Sequence, residues 1–443
     1  MNRLTILFAM HYEAGHVLGT FNLAKQLRSR GHEIAYLSIP DFKELIENQS
    51  FRFVPFAEDI MPAGFNNRSF SGYWSRRRYN ESIFSRYMEK LTDGTLDRAL
   101  QSVKPDLLIC DPFLSYVAIR AISLGIPAMH LFSSLFLYEN PEIPPVITYM
   151  FPRSRIATLM AWKYMFLRFF FFKKLKNIFT AEFRHPARMH HLVDAYLQVA
   201  RKSGFPCIKD RTYRLNEIGF NLAVPDIVLC TRAFQFPGNI PKQRIYLGNF
   251  VDYGRKDSQI ELNLDDRPVI YCSLGTAAST YPYSDRFYGA VRKAGEMRRD
   301  WQFVLQISDE KKIRNYESTE NLQILKWVPQ LFLLKRASVT VTHGGLNSIM
   351  ECVNSGVPMV IVPGLRDQPG NAARAVYQNI ALTAKMRDIE PSRLAGLIAE
   401  AMDSREIKAG LKRMKEMIEH ENGLAESVSF IESYATSGGK IAD

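Results

Sequence analysis

Short apolar runs alternate with longer amphipathic segments over most of the chain. In the first half, the runs of strand length are LTILFAM, IAYLS, KPDLLIC and IPAMHLF, and such runs predict buried strands. After the first run, Val17, Phe21, Ala24 and Leu27 recur at helical spacing, and Gly31 follows at a C-cap position. The pattern therefore predicts a helix between the first two strands.

The same alternation restarts in the second half of the chain. The predicted strands there are RPVIYCSLGT, WQFVLQIS, LQILKWV, SVTVTH and VPMVIVP. Residues 405–434 are polar and helical in pattern, and QFPGNIPKQ has the composition of a linker between the two series. Because strands that alternate with helices indicate βαβ units, we predict an α/β protein with two parallel sheets.

The composition is that of a soluble globular protein. Hydrophobic residues make up 47% of the 443 residues and charged residues 23%, which is sufficient for a large core. The net charge of +12 is compatible with nucleic acid, anionic substrates or a membrane surface as partners. No zinc-finger spacing or aromatic-basic RNA motif is found, so nucleic acid is not expected.

The cysteines and the N-terminal segment favour a reduced compartment. Five cysteines are scattered along the chain, and Cys110, Cys230 and Cys272 end or lie within apolar runs, as small core hydrophobes do. MNRLTILFAMHYEAGH has too short an apolar run for a signal peptide. We therefore expect a cytoplasmic protein with neither disulfides nor a cysteine metal site.

An apolar segment at residues 157–172, ATLMAWKYMFLRFFFF, is followed by KKLKN. Lys163 and Arg168 interrupt it, and it is shorter than the roughly 20 residues of a membrane-spanning helix. One interpretation is a buried helix that lines an acceptor pocket. The other is an interfacial helix, with peripheral membrane contact through residues 157–176 at the inner face of the membrane.

Candidate chemistry is concentrated in VTHGGLNSIMECVNSGVPMVIVPGLRDQPGN, which begins at residue 341. A predicted strand ends at His343, and Gly344 and Gly345 allow a ligand to approach the backbone closely. A helix predicted to begin near Leu346 would point its free N–H groups and its positive dipole end at that ligand. Because ligands of open parallel sheets bind at the carboxyl ends of strands, this turn predicts a phosphate or diphosphate site.

Further polar and aromatic residues surround the predicted anion site. Asn347 and Ser348 add donors in the first helical turn, and Glu351 suits the paired hydroxyls of a ribose. Upstream, the motif WVPQ offers a flat ring for a base and an amide for hydrogen bonds. Downstream, an Asp-Gln pair follows the next strand and suits sugar hydroxyls. Base, ribose, diphosphate and sugar each have a candidate contact in one half of the chain.

The segment WVPQLFLLKRASVTVTHGGLNSIMECVNSGVPMVIVPGLRDQ resembles the nucleotide-sugar signature of the UDP-glycosyltransferase family, and GHVLGTFNLAKQLRSRGHE resembles the family's opening motif. The resemblance implies the GT-B fold, with two Rossmann-like domains facing a cleft. SLGT, THGGLN and DQPGNAARAVY are most similar to carotenoid (zeaxanthin) glucosyltransferases. The implied division is an acceptor-binding domain at residues 1–238, a linker at 239–254, a donor domain at 255–420, and a C-terminal helix and tail at 421–443 that can pack back on the N-terminal domain.

The resemblance also implies roles for individual residues on the donor side. The nucleoside would contact Trp327, Val328 and Gln330, and Glu351 would hold the ribose. The diphosphate would contact Ser273, Thr276, His343, Gly345, Asn347 and Ser348. Asp367 and Gln368 would bind the donor sugar, and this pair favours a hexose such as glucose over a deoxysugar. UDP and dTDP remain alternatives, with no cofactor besides the nucleotide sugar.

The resemblance places the catalytic base at His16, in HYEAGHVLG, and its partner at Asp111, in LICDPFLSY. An imidazole suits proton abstraction at neutral pH, and a carboxylate would fix its tautomer. His11 is a competing candidate for the base, and Asp111 has a simpler interpretation as a helix N-cap. No metal is predicted, because helix N–H groups and donors can stabilise the leaving diphosphate.

The expected activity is therefore inverting transfer of a hexose to a hydroxyl of a lipophilic small molecule. Aromatic and aliphatic residues at 60–90 and 134–190 favour such an acceptor. Three alternatives remain open: a sugar-nucleotide epimerase or hydrolase on the same fold, a catalytically silent partner protein, and a membrane-bound scaffold.

Overall fold

The structure is a computed structural model that describes residues 3–65, 73–135, 139–167, 196, 198–205, 222, 224–240, 244–255, 260–276, 278, 281 and 283–440. Within these ranges the chain forms two separate parallel sheets. The predicted strands of both halves are present, so the predicted α/β class with two Rossmann-like sheets is confirmed.

In the described residues the first sheet has seven parallel strands in the order β3-β2-β1-β4-β5-β6-β7. They are β1 Thr5–Ala9, β2 Glu33–Ser38, β3 Arg52–Pro55, β4 Leu107–Cys110, β5 Ala128–Phe132, β6 Asp226–Val228 and β7 Arg244–Tyr246. Among the described residues, the helices of this half include α1 Ala14–Leu18, α2 Phe21–Ser29, α3 Lys43–Glu47, α4 Tyr73–Lys90, α5 Thr95–Val103, α6 Ser115–Ser123 and α7 Arg155–Phe166. The continuous apolar runs become strands because helices cover both faces of the sheet.

The second sheet has six parallel strands among the described residues, in the order β10-β9-β8-β11-β12-β13. They are β8 Val269–Ser273, β9 Gln302–Gln306, β10 Leu322–Leu325, β11 Ala337–Thr342, β12 Met359–Ile361 and β13 Ala381–Thr383. The helices are α8 Ser284–Met297, α9 Glu310–Ile313, α10 Gln330–Leu334, α11 Leu346–Ser355, α12 Gln368–Tyr377, α13 Pro391–Asp403, α14 Arg405–His420 and α15 Gly423–Thr436.

The first predicted helix differs from the observed one, since it is divided into α1 and α2. Between them, Thr20 Oγ1 donates a hydrogen bond of 2.7 Å to the carbonyl of Val17, and Gly19 lies so close to the sheet that a Cβ would be 2.9 Å from Leu229 Cδ1. The apolar spacing runs through this break because both short helices bury the same side.

The C-terminal helix α15 packs on the first half of the chain. The carboxylate of Glu432 accepts hydrogen bonds from Arg30 at 2.7 Å and from His32 Nε2 at 2.9 Å. Strand β7 belongs to the first sheet although it lies inside the predicted linker. The exact domain boundaries stay a prediction.

Four of the five cysteines fall in the described residues, at positions 110, 230, 272 and 352, and all four are free and buried. They behave as the small core hydrophobes that the apolar runs predict. Among the helices described, none combines the length and the apolar character that crossing a bilayer requires.

Candidate functional site

A cavity of about 480 Å³ lies between the carboxyl ends of the strands of the two sheets. Every residue that the sequence assigns to catalysis or donor binding lines it. From the first half these are His16 and Asp111, and from the second half they are Ser273, Thr276, Trp327, Val328, Gln330, His343, Gly345, Asn347, Ser348, Glu351, Asp367 and Gln368. Loops that follow two separate sheets thus face a common space, although the roles of these residues remain predictions.

The predicted base and its partner are in direct contact. His16 Nδ1 lies 2.6 Å from Asp111 Oδ2, and Ser133 Oγ lies 2.7 Å from the same nitrogen. A carboxylate can only accept, so Nδ1 carries the proton and Nε2 is left as the basic nitrogen. Asp111 Oδ1 also accepts from the backbone N–H of Phe113 at 2.9 Å. The carboxylate is therefore both an N-cap and the orienting partner of His16.

The two histidines of this wall have opposite pKa shifts. Burial disfavours the imidazolium of His16, but the adjacent Asp111 carboxylate outweighs burial and raises the His16 pKa above its ordinary value. Burial and the neighbouring His16 lower the pKa of His11 to about 4. Because a stronger base accepts a proton more readily, His16 is the better candidate for proton abstraction.

The predicted anion turn has the expected backbone geometry. Gly344 adopts a φ of +85°, and α11 begins directly after Gly345. The ring of His343 is enclosed by glycines, since a Cβ on Gly275 or Gly345 would lie 2.6 Å from ring atoms of His343. Burial lowers the pKa of His343 to about 4. The ring is therefore neutral, and the positive end of α11 supplies the field for an anion.

The predicted ribose carboxylate is already engaged with neighbouring side chains. Glu351 accepts from Gln330 Nε2 at 2.6 Å and from Arg255 at 3.2 Å. Gln330 in turn accepts from the hydroxyl of Tyr271 at 3.1 Å. Trp327 stands beside this cluster on the cavity wall. A ribose would exchange part of this network for its own hydroxyls.

The two residues of the Asp-Gln pair that follows β12 lie in different environments. Asp367 accepts from Asn371 at 2.9 Å, and burial raises the pKa of its carboxyl. The Gln368 oxygen accepts from the N–H groups of Gly364 and Leu365, at 2.8 and 3.0 Å, and its amide nitrogen donates to the hydroxyl of Tyr281 at 2.6 Å. The Gln368 amide therefore shapes the loop in this conformation, and its predicted sugar contact requires exchange of these bonds.

Two contacts cross the cavity and were not predicted. Arg366 forms a bidentate pair with Glu13 at 2.7 and 2.9 Å, and Asn347 Nδ2 donates to the carbonyl of Gly15 at 2.7 Å. Burial of Glu13 opposes its ionisation, but Arg366 outweighs burial and lowers the Glu13 pKa to about 2. Ser133 and Arg255 were also missed, because neither lies in a recognisable motif and each is placed only by the fold.

One group of side chains in the cavity has ligand atoms close enough for a metal ion. Single ligand atoms of His11, Glu13 and His16 lie within 4.8 Å of one another. Two of these three side chains already have a close partner: Glu13 pairs with Arg366, and His16 contacts Asp111. A metal here would compete with both contacts, and a metal-free reaction stays our prediction.

Comparisons with curated proteins give relatives that match over most of their length. The chain is 24% identical to the NDP-glycosyltransferase YjiC of Bacillus subtilis over 95% of this chain and 94% of that protein. It is 22% identical to UDP-glucuronosyltransferase 1A1 of Rattus norvegicus, over 93% of this chain and 78% of that protein. Both relatives are named as glycosyltransferases. Because the matches cover more than 90% of this chain, the similarity extends well beyond the short motifs.

Solved structures share the whole architecture. The glycosyltransferase of kitacinnamycin matches with a TM-score of 0.69 and 22% identity, over 98% of this chain and 99% of that one. The glycosyltransferase VinC in complex with dTDP matches with a TM-score of 0.63 and 20% identity, over 98% and 100% of the two chains. The predicted GT-B fold is thereby confirmed.

The family described as "UDP-glucoronosyl and UDP-glucosyl transferase" matches residues 6–422, which include both sheets apart from Thr5 and every residue of the cavity described above. The chain belongs to this family of glycosyltransferases.

Proposed function

We propose that the protein is an inverting glycosyltransferase that moves a hexose, glucose by preference, from a nucleoside-diphosphate sugar to a hydroxyl of a lipophilic small molecule. The single observation that carries this proposal is the cavity arrangement. His16, oriented by Asp111 at 2.6 Å, faces the helix mouth at His343 and Gly345 across one shared space. A base and an anion site on opposite walls are what direct displacement at a sugar carbon requires.

In the proposed reaction, His16 Nε2 removes the proton of the acceptor hydroxyl as its oxygen attacks the anomeric carbon. The bond between that carbon and the diphosphate oxygen breaks, and the electron pair leaves with the nucleoside diphosphate. Asp111 stabilises the imidazolium that forms. The N–H groups at the start of α11 stabilise the charge on the leaving diphosphate. One displacement inverts the configuration of the anomeric carbon.

The proposed donor contacts are those that the family resemblance implies, and the position of these residues on the cavity wall supports them. Trp327, Val328 and Gln330 would hold the nucleoside, and Glu351 the ribose. The diphosphate would lie at His343, Gly345, Asn347 and Ser348, with Ser273 and Thr276 beside it. Asp367 supports the sugar assignment, since it is half-buried and lines the cavity at the loop that follows β12. UDP and dTDP are both candidates for the nucleotide.

The acceptor side supports a lipophilic substrate. The part of the cavity wall that comes from the first half of the chain includes Phe113, Phe132, Leu135, Val146 and Ile147. Such a wall favours a flat or long apolar molecule that presents one hydroxyl to the base. The motifs similar to carotenoid glucosyltransferases agree with this class of acceptor, and we propose it as the first class to test.

The test is transfer from labelled UDP-glucose and dTDP-glucose to a panel of hydroxylated lipophilic acceptors. We expect a glycoside whose anomeric configuration, read from the proton coupling constant, is opposite to that of the donor. His16→Ala should reduce turnover by about 10²–10⁴-fold, the usual contribution of a general base. UDP binding by calorimetry should be retained, because the donor residues lie on the other wall.

The matched control is His420→Ala, an exposed histidine at the end of α14, which should leave turnover unchanged. Full turnover by the His16→Ala variant would remove His16 as the base. Free glucose as the main product, with acceptor present, would instead favour a sugar-nucleotide hydrolase.

A further inference from the structure

Helix α7 exposes a continuous apolar stripe to solvent. Ile156, Met160 and Tyr164 are 73, 66 and 61% exposed, more than any other large hydrophobic residue in the described part of the chain. Leu167, directly after the helix, is 52% exposed. The spacing of four, four and three residues places all of them on one helical face. Isolated exposed hydrophobic residues are ordinary, but an aligned row along three turns indicates an interaction surface.

The opposite face of α7 is buried against the protein. Thr158, Trp162 and Met165 are buried there, and Trp162 Nε1 donates a hydrogen bond of 2.9 Å to the carbonyl of Ile143. The helix is therefore anchored and apolar on both sides. A helix with apolar residues all round is normally covered on both sides, so the exposed stripe requires an occupant.

The charges around the stripe identify that occupant. The sequence of residues 153–181 contains seven Lys and Arg and no Asp or Glu, and its part beyond residue 167 lies outside the described residues. Among the described residues, Arg153, Arg155 and Lys163 are exposed, and Arg155 pairs with Glu142 at 2.6 Å. We propose that α7 docks on an anionic phospholipid bilayer, with the stripe at the acyl boundary and the basic side chains on the headgroups.

A second copy of the chain is a poorer occupant of the stripe. Pairing two α7 helices would bring two basic segments together, in a protein that already carries a net charge of +12. Like charges at close range oppose such contact. An anionic bilayer offers apolar burial and charge complementarity at the same surface.

Membrane docking would place the bilayer beside the acceptor wall. The segment that α7 covers at Ile143 continues to Val146 and Ile147, which line the cavity. A lipophilic acceptor dissolved in the bilayer would then lie near the entrance to the site. This delivery step rests on the proposed function, whereas the docking itself does not.

The test is flotation of the full chain with vesicles of phosphatidylcholine alone or mixed with phosphatidylglycerol. We expect the protein to float with the anionic vesicles and to dissociate at high salt, since the attraction is partly electrostatic. Met160→Glu should weaken partitioning by about tenfold or more, because it puts a charged side chain where an apolar one would enter the acyl boundary. The position is exposed, so folding, checked by thermal melting, should be unchanged.

The matched control is Met417→Glu, an exposed methionine on α14 that is 46% exposed, which should partition as the unaltered protein does. The proposal is overturned if the unaltered protein remains unbound with every vesicle composition, or if Met417→Glu loses binding equally. It is also overturned if light scattering shows a dimer that Met160→Glu dissociates, since a second copy then covers the stripe. None of these results depends on transferase activity.

Discussion

At the scale of single residues, the environment of an imidazole decides whether it can act as a base. His11 and His16 have ring centroids 5.1 Å apart, in one cavity. Of these two histidines, His16 is the one that forms a hydrogen bond with the buried Asp111 carboxylate, which raises the His16 pKa. Burial lowers the pKa of His11 to about 4. The sequence favours His16 through its motif, and the two environments give a physical reason for the same choice.

The pH dependence of Asp111→Asn tests this arrangement. The proposed reaction needs neutral His16, so we expect activity to be lost as the pH falls through the His16 pKa, which Asp111 raises above its ordinary value. Removal of the carboxylate lowers that pKa, so the acid limb of kcat/KM should move to lower pH. The plateau should fall by about 10²–10⁴-fold, because the tautomer is no longer fixed.

The control for this prediction is Asp403→Asn, an exposed carboxyl at the end of α13, for which both limb and plateau should be unchanged. An Asp111→Asn profile with its acid limb in the original position would mean that another group titrates in the reaction. His11 would then be the first alternative.

The sequence predicts which residues line the cavity well where chemistry and motif coincide. His16, Asp111 and the donor-side residues all line the cavity, because they lie at the carboxyl ends of parallel strands or in the loops and helices that follow those ends. Ser133 also follows a strand and contacts His16, but a serine after an apolar run carries no distinguishing signal. Ser133 reaches His16 because β5 lies next to β4 in the sheet, and the sequence does not reveal this strand order.

At the scale of elements, the turn from β11 to α11 depends on small residues around one ring. Gly345 has a φ of −63°, which an alanine adopts without strain, but its added Cβ would lie 2.6 Å from His343 Nε2. Gly275 encloses the same ring from β8. The glycines therefore position His343 and leave the backbone open at the helix mouth.

Gly345→Ala should displace the His343 ring without breaking α11. We expect an overpacking cost of about 1–3 kcal/mol in the free energy of unfolding, together with UDP binding about tenfold weaker, equivalent to roughly 1.4 kcal/mol. Thermal melting and calorimetric titration with UDP measure the two effects separately.

Gly396→Ala is the matched control, because this glycine lies within α13 and a Cβ there meets nothing within 4 Å. It should raise stability by roughly 0.5–1 kcal/mol, the usual gain inside a helix, and leave UDP binding unchanged. Unaltered UDP affinity in Gly345→Ala would show that the ring position does not matter for the diphosphate.

Element prediction succeeded where apolar runs were long and failed where they were short. Strands β3, β6, β7 and β13 have three or four residues each, which is too short for a periodic pattern. They are strands because a neighbouring strand already supplies hydrogen-bonding partners. The break between α1 and α2 is likewise set by close packing on Leu229, a contact more than 200 positions away in the chain.

At the scale of the whole molecule, the cavity is held together by contacts between the halves. Arg366 and Glu13 are 353 positions apart, and Asn347 and Gly15 are 332 apart. Local pattern carries no information on such pairs, so the sequence predicts two facing domains but not what joins them. Both contacts connect loops of the proposed donor site with the loop that leads to His16.

The pair of Arg366 and Glu13 is the contact whose contribution can be measured most directly. Arg366 follows β12 and immediately precedes Asp367, and Glu13 Oε2 lies 4.0 Å from His16 Nε2. An ion pair with one half-exposed partner contributes only about 0–1 kcal/mol. We therefore expect Arg366→Gln and Glu13→Gln each to lower kcat/KM for the donor by only a few-fold, within about tenfold.

The double variant tests whether Arg366 and Glu13 act together as one ion pair or independently of each other. If the ion pair holds the loop that leads to His16 and the loop that contains Asp367 together during turnover, either single change already abolishes the ion pair. The Arg366→Gln/Glu13→Gln variant should then be no slower than the worse single variant, and its rate should depend less on salt. Fold losses that multiply in the double variant would mean that the two side chains act independently and that other contacts, such as that of Asn347, align the halves.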